Sequence, residues 1–358
     1  MFCIAAFIVL GILSIFSARY RRLAAKAWYC VSRKMTFRTC EIRFDEELKG
    51  KLLGKLIITH PRLARWLSRW FDVLAFIFVV LSIWSLVVVL IAGLNLFVYG
   101  TCDPQNAEAC SLSSETCSIA SAQETFVQSV LDNHELTWGY NQVSDLGDAI
   151  VRIPDRLKNW NVADYITADN TYYAPYDASK QTALEIIDPG CIYCAKLFAN
   201  IETADFEHSH NLTYIAYPIP NPTKPGQYKF KNSYLIAEYL EAAKRIAPAT
   251  ASTTPPDWQV LQAVFIGVDS NGARLQDLFD GYYTTEQATA ELHTLFLAAG
   301  YTQSQLPALD KEAASAEVAS ALAANKAVVE QQIHTVKIPT IIFGGQRYSQ
   351  VLSPGSLH

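Results

Sequence analysis

Residues 73–99, VLAFIFVVLSIWSLVVVLIAGLNLFVY, carry no charge and exceed the roughly 20 apolar residues that cross a bilayer as a helix. Such a run predicts a transmembrane helix and divides the chain into an N-terminal and a C-terminal part. Residues 1–17, MFCIAAFIVLGILSIFS, are also uncharged but only just long enough to span. A cleaved secretory signal carries its positive charge ahead of the apolar run and a small-residue cleavage site behind it. Here Arg19, Arg21, Arg22 and Lys26 come after the run, so a retained anchor is expected. Two transmembrane α-helices therefore precede the remainder of the chain.

Charge gives the orientation. The intervening basic loop, 18–72, holds 14 Lys or Arg as far as Trp70 against four acidic residues, Glu41, Asp45, Glu46 and Glu47. Short loops rich in Lys and Arg stay in the cytoplasm. The whole chain has 29 basic and 34 acidic residues, which leaves 15 and 30 after Trp70. That asymmetry places both chain ends outside: a two-pass protein of the cell membrane whose C-terminal part is periplasmic or extracellular. The basic loop reads as a topology signal against anionic lipid rather than a nucleic-acid surface. No aromatic-interleaved basic patch or Gly-rich phosphate loop argues for a nucleic-acid partner.

Residues 100–181 form an extracytoplasmic linker and lead-in. They open on TCDPQNAEACSLSSETCS, rich in Ser, Asp and Asn. A helix is expected at 122–131, and 133–180 is weakly patterned, assignable only as a cover or lead-in. From 182 the signals sharpen: a strand at 183–187, a turn at Asp188-Pro189-Gly190, then Tyr193, Leu197, Phe198 and Ile201 at helical spacing. A second strand fits 212–217, so strand, helix and strand suggest a parallel unit. Helices are expected at 232–246, 257–266, 285–299 and 313–331. The third has Thr284 as N-cap, Gln287 three residues on and Gly300 just past its end. Residues 340–343 and 346–349 flank Gly344-Gly345 as a β-hairpin.

The chemistry centres on Cys191-Ile-Tyr-Cys194, where a strand's loop enters a helix. Unpaired backbone N–H groups and the positive end of the helix dipole favour a thiolate at the first cysteine. Two intervening residues let the thiols close a disulfide, with Cys191 exposed to attack and Cys194 more buried to resolve. A lone CxxC is also compatible with half of a zinc site. Cys102, Cys110 and Cys117 are poorly spaced to complete one, and no metal is expected. Glu185, six positions before Cys191, falls on the preceding strand. There it is either a buried carboxyl of raised pKa that relays the proton of Cys194 or an exposed strand carboxylate. Ile338-Pro339-Thr340 opens a strand where proline normally disrupts pairing. A cis bond there is the economical reading, leaving an edge for a substrate segment; an ordinary edge-strand proline is the alternative.

Together DPGCIYC, Glu185 and VKIPTIIFGGQRY resemble the DsbA-type family of extracytoplasmic thiol-disulfide oxidoreductases, over roughly the half of the chain from 182 to 358. The resemblance implies an α/β thioredoxin fold with a helical insertion at about 230–331. The 148 positions between Cys191 and Pro339 leave room for it. It implies Cys191 as nucleophile, Cys194 as resolving thiol and Glu185 as buried acid. Ile338, Pro339 and Thr340, with Ile192 and Tyr193, would contact substrate. It also implies no cofactor, cysteine-containing exported proteins as substrates, and a membrane redox partner, quinone-linked for an oxidase or reducing for an isomerase. Strong oxidases of the family commonly carry Pro-His between the cysteines. Ile192 and Tyr193 predict a milder oxidant, since about 1.4 kcal/mol of thiolate stabilisation corresponds to about 30 mV. Only nine residues come after Ser349, too few for the family's closing helix. Either the chain is truncated or the membrane-proximal segment covers that face.

Three cysteines in an oxidising segment leave one unmatched. Cys102, Cys110 and Cys117 allow a structural disulfide with a spare thiol, an intermolecular bridge, or a second redox relay to Cys191. Cys3, Cys30 and Cys40 are expected to be reduced and inert. His208 and His210 read as surface histidines, and Asn211-Leu-Thr213 as a glycosylation pattern poorly placed at a strand start. The rival from another class is a non-catalytic envelope or secretion-complex assembly protein that uses the fold for docking. Docking alone requires none of Cys191, Cys194, Glu185 and Pro339.

Overall fold

The computed structural model describes residues 61–102, 115–119, 134–167 and 169–357, with positions 25, 28, 29, 129, 131 and 132. The expected first span at 1–17, the loop up to residue 60 apart from three positions, and most of the helix read at 122–131 lie outside the described residues. So do Cys3, Cys30, Cys40 and Cys110.

The chain divides into two compact units, Met1–Ile91 and Ala92–His358. Helix α1 (Pro61–Tyr99) begins in the first and ends in the second, starting ahead of the apolar run itself. Within it, Phe76–Tyr99 is long and apolar enough to cross a membrane, and among the described residues it is the one helix of that kind. Leu81, Leu86, Val89 and Leu90 on it are exposed. A surface of that composition is unfavourable in water and matches hydrocarbon.

In the second unit, strand β1 (Cys117–Ser118) and helix α2 (Glu135–Val151) precede the sheet. Strand β2 (Gln181–Ile187) pairs in parallel with β3 (His210–Ala216) from Gln181 opposite His210 to Ile187 opposite Ala216. A parallel pair needs a crossover, and α3 (Ile192–Thr203) supplies it. Past β4 (Lys337–Ile338), strand β5 (Thr340–Phe343) runs antiparallel to β2, with Leu184 opposite Ile342, and turns into β6 (Gln346–Tyr348). The strand order is β3-β2-β5-β6, which joins the expected parallel unit and the expected hairpin in one sheet. β2 and β3 read as apolar runs because they are buried on both faces. Pairing extends each strand beyond its apolar stretch, so both begin earlier than hydropathy alone indicates.

Between β3 and β4 lies the helical insertion: α4 (Ser233–Ala243), α5 (Pro256–Ile266), α6 (Thr285–Ala298), α7 (Leu306–Ala313) and α8 (Ala316–Ala327). The capping box forms as expected, with Gln287 N–H donating to Thr284 Oγ1 and Thr284 N–H to Gln287 Oε1. The helix expected at 313–331 is α8, which starts three residues later and continues as a π-helical turn over Val328–Ile333, and α7 ahead of it is a further helix. α7 ends at Ala313, and the Ser315 hydroxyl caps α8 by accepting from Val318 N–H at 3.1 Å. Fully buried Trp258 of α5 locks the insertion to the sheet, edge-on to Tyr214 of β3 at 4.6 Å and stacked against Phe198 of α3 at 6.3 Å.

The weakly patterned lead-in is hydrogen-bonded to the sheet. Tyr173 N–H donates to Leu212 O at the β3 edge, and Trp160 N–H to Gly345 O in the hairpin turn. Gly344 and Gly345 have φ of 57° and 75°, as a two-residue hairpin demands. A Cβ at Gly345 would also meet Asn159 Oδ1 at 2.1 Å. Gly345→Ala is expected to cost about 1–2 kcal/mol in backbone strain, read as a lower Tm of the detergent-solubilised chain. Repeating it in an Asn159→Ala background relieves the clash and leaves that strain. At the C-terminus, Asn200 Nδ2 donates to Leu352 O at 2.8 Å, and Leu352 and Leu357 are buried, so residues 350–357 lie along α3 without forming a closing α-helix.

Candidate redox site

The site is built where β2 ends. Asp188 folds the turn onto itself: its Oδ1 accepts from Gly190 N–H at 2.8 Å, its Oδ2 from Ile219 N–H at 2.7 Å, and its carbonyl from Cys191 N–H at 3.0 Å. Gly190 is required by space, since a Cβ there would lie 2.4 Å from Phe230 Cβ and 2.8 Å from Asp280 Oδ1. The insertion also holds this turn, through Gln276 Nε2 donating to Pro189 O at 2.8 Å. Cys191 is thereby fixed as the N-cap of α3, and Cys194 lies on its first turn, with its N–H donating to Cys191 O at 2.9 Å.

Cys194 is a free, buried thiol that accepts from Asp188 N–H at 3.5 Å. Burial raises its pKa well above the ordinary thiol value; the Asp188 N–H opposes this, and the Asp188 and Glu185 carboxyls add to it. Glu185 is buried on β2, so the exposed-carboxylate alternative fails. Burial pushes its pKa up to about 8, and its Oε1 has no hydrogen-bond partner. Two further carboxyls share the region. Asp188 is raised to about 6 by burial against its two N–H donors, and Asp280 to about 8 by burial with Asp188 and Asp277 nearby. Composition offers no signal for Asp280, because its burial comes from the packing of the insertion.

The Ile338–Pro339 bond is cis. Ile338 O lies 3.9 Å from Cys191 Sγ, so the loop and the CxxC face one another across the site. Thr340 does not face outward: it is fully buried, and its hydroxyl donates to Lys337 O at 2.8 Å, which makes it a support of the loop rather than part of a contact surface. Ile192 is 47% exposed beside Cys191, and Tyr193 is partly buried against the core.

One expectation is corrected. Cys191 is neither exposed nor paired with Cys194; it is fully buried and bonded to Cys117, with Cα atoms 6.5 Å apart. The cause is β1, which pairs antiparallel with β4, Cys117 opposite Ile338 and Ser118 opposite Lys337, and lies over Cys191. Cys117 is thus neither a spare thiol nor part of a disulfide confined to the linker, while Cys102 is disulfide-bonded. The signal for Cys117 in the sequence was the unmatched cysteine count alone.

The remaining candidates lie elsewhere. His210 stacks on Phe206 at 4.0 Å, whereas exposed His208 meets Glu207 at 3.2 Å and Asp205 at 3.8 Å. Asn211 is buried with its amide donating to Asp177 O and Lys180 O, which leaves no amide available for a glycan.

No family model matches the chain, and neither does any curated protein. Solved structures similar to it include a thioredoxin-like oxidoreductase from Silicibacter pomeroyi DSS-3, 15% identical over 53% of this chain and 89% of that one, TM-score 0.37. The thiol-disulfide exchange protein alpha-DsbA2 from Wolbachia pipientis is 12% identical over 55% and 87%, TM-score 0.38. The disulfide bond oxidoreductase DsbG from Mycobacterium tuberculosis, in reduced form, is 12% identical over 55% and 87%, TM-score 0.37. At these identities and scores the likeness bears on neither activity nor substrate.

Proposed function

We propose that the chain is a membrane-anchored thiol-disulfide oxidoreductase that forms or rearranges disulfides in cysteine-containing exported proteins outside the cytoplasm. The observation that carries this reading is a sulfur–sulfur bond at Cys191 on the N-terminus of α3, with the Cys194 thiol on the next turn near buried Glu185 and Asp188. In exchange, a substrate thiolate attacks Cys191 in its disulfide, or thiolate Cys191 attacks a substrate disulfide. A mixed disulfide forms at Cys191; the substrate's second thiolate breaks it to leave an oxidised substrate and thiolate Cys191, or Cys194 breaks it by closing on Cys191 to leave a reduced substrate. The apolar run of α1 anchors the protein, the basic loop sets the orientation, and a membrane redox partner resets the couple.

The test incubates the full chain in detergent micelles with a reduced two-cysteine peptide, and separately with a disulfide-bonded one. Exchange through Cys191 in either direction is expected, at a potential milder than that of a Pro-His CxxC oxidase. Failure of both reactions across a range of glutathione ratios would overturn the reading.

A further inference from the structure

The cover over Cys191 has the form of a bound substrate. β1 lies antiparallel along Lys337–Ile338, beside the cis-proline, and the sulfur of its Cys117 is joined to the nucleophile. This is strand addition at a sheet edge with a covalent bond at its centre. The pairing does not depend on that bond alone. Ile119 N–H donates to Val336 O at 3.1 Å, Lys229 Nζ donates to Ser118 O at 3.3 Å, and Lys196 on α3 pairs with the Glu115 carboxylate. Thr116, Cys117 and Ser118 are buried, and Cys191 has no exposed surface while β1 is in place.

We propose that Cys117 is a third redox cysteine and that residues 115–119 are a built-in stand-in for a substrate strand, which occupies the β4 edge and holds Cys191 until Cys194 displaces it. The inference rests on the exchange chemistry proposed above. The step is a disulfide isomerisation. Thiolate Cys194 attacks Cys191 Sγ, the Cys191–Cys194 bond forms, and the Cys117–Cys191 bond breaks. Cys117 leaves with the electron pair and takes up a proton, balancing the proton lost from Cys194. One disulfide and one thiol exist before and after, so no external oxidant or reductant is consumed. The closed form has Cys117 bonded and the groove filled; the open form has Cys191–Cys194 bonded and the groove available.

A purely structural disulfide predicts no such exchange, and mapping the linkages separates the two. The full chain in micelles, equilibrated in glutathione buffer, acid-quenched and digested without reductant, is expected to yield both Cys117–Cys191 and Cys191–Cys194 peptides by mass spectrometry. Cys194→Ser should retain only the first linkage and Cys117→Ser only the second. Ile119→Pro, which removes the donor to Val336 O and keeps every thiol, should shift the wild-type mixture toward Cys191–Cys194. Because only the open form takes substrate, Cys117→Ser should oxidise a reduced two-cysteine peptide faster by the inverse of the open fraction, about tenfold where roughly nine molecules in ten are closed. The proposal is overturned if Cys194→Ser lacks the Cys117–Cys191 peptide, or if wild type shows only that peptide at every glutathione ratio. An unchanged linkage ratio in folded Ile119→Pro, or an unchanged rate in folded Cys117→Ser, also overturns it. The mapping needs no substrate turnover, so a chain that isomerises internally yet exchanges with no peptide would defeat the proposed function and leave this inference standing.

Discussion

Cys191→Ser is expected to abolish thiol exchange, lowering the rate by on the order of a thousandfold or more, to that of the uncatalysed reaction. A hydroxyl oxygen at this N-cap can neither form the mixed disulfide nor ionise near neutral pH, so the helix terminus has no sulfur anion to stabilise. The substitution removes little side-chain volume, but it also removes the Cys117–Cys191 bond, so Tm is expected to fall while circular dichroism changes little. Cys117→Ser, which loses the same bond and keeps Cys191, is the control. That separates loss of chemistry from loss of fold. Cys194→Ser behaves differently. It keeps the attacking sulfur and loses the resolving one, but Cys117 on β1 can still close on Cys191 and release a trapped substrate. The double variant Cys117→Ser with Cys194→Ser removes both resolving thiols. It is expected to accumulate mixed disulfides with a disulfide-bonded peptide, visible as reductant-sensitive bands on non-reducing gels. Undiminished exchange by folded Cys191→Ser protein would defeat the assignment of this sulfur as nucleophile.

Much of this arrangement was legible because the features are local. The apolar runs of β2 and β3, the CxxC at the start of α3, the capping box at Thr284 and the Gly-Gly hairpin each express a preference within a few residues of chain. What escaped reading depends on contacts far apart in sequence. The Cys117–Cys191 bond spans 74 positions, and unpaired cysteine counts do not specify connectivity. Asp188 looks like an ordinary turn residue until Ile219 N–H and Gly190 N–H are seen on its two oxygens. Asp280 becomes a site residue only because the insertion folds back over Gly190. α7 was missed for a different reason: at eight residues, with Pro307 in its first turn, it is too short for apolar spacing to mark it as a helix.

Glu185→Gln is expected to stabilise the protein at pH 8 and to slow its resolving step, two effects of opposite value to the cell. Folding raises the Glu185 pKa from 4.5 to about 8 through burial, so between these values the folded chain holds a proton that the unfolded chain has released. Stability from this group is therefore full below about pH 4.5, falls as pH rises, and levels off above about 8. At about 1.4 kcal/mol per pH unit, the fall is of the order of a few kcal/mol. An amide does not titrate, so thermal melts of Glu185→Gln should match wild type near pH 4 and exceed it at pH 8. Asp280 and Asp188, shifted upward by the same cause, leave a residual slope of the same sign in the variant. The carboxylate that destabilises the fold is the one able to take the proton of Cys194, whose own pKa burial holds high. Removing it should slow closure of Cys191–Cys194 by about a hundredfold and erase the rise of that step through pH 8, measured by quenched-flow thiol trapping. A purely structural role would move the melts and leave the pH profile of closure intact.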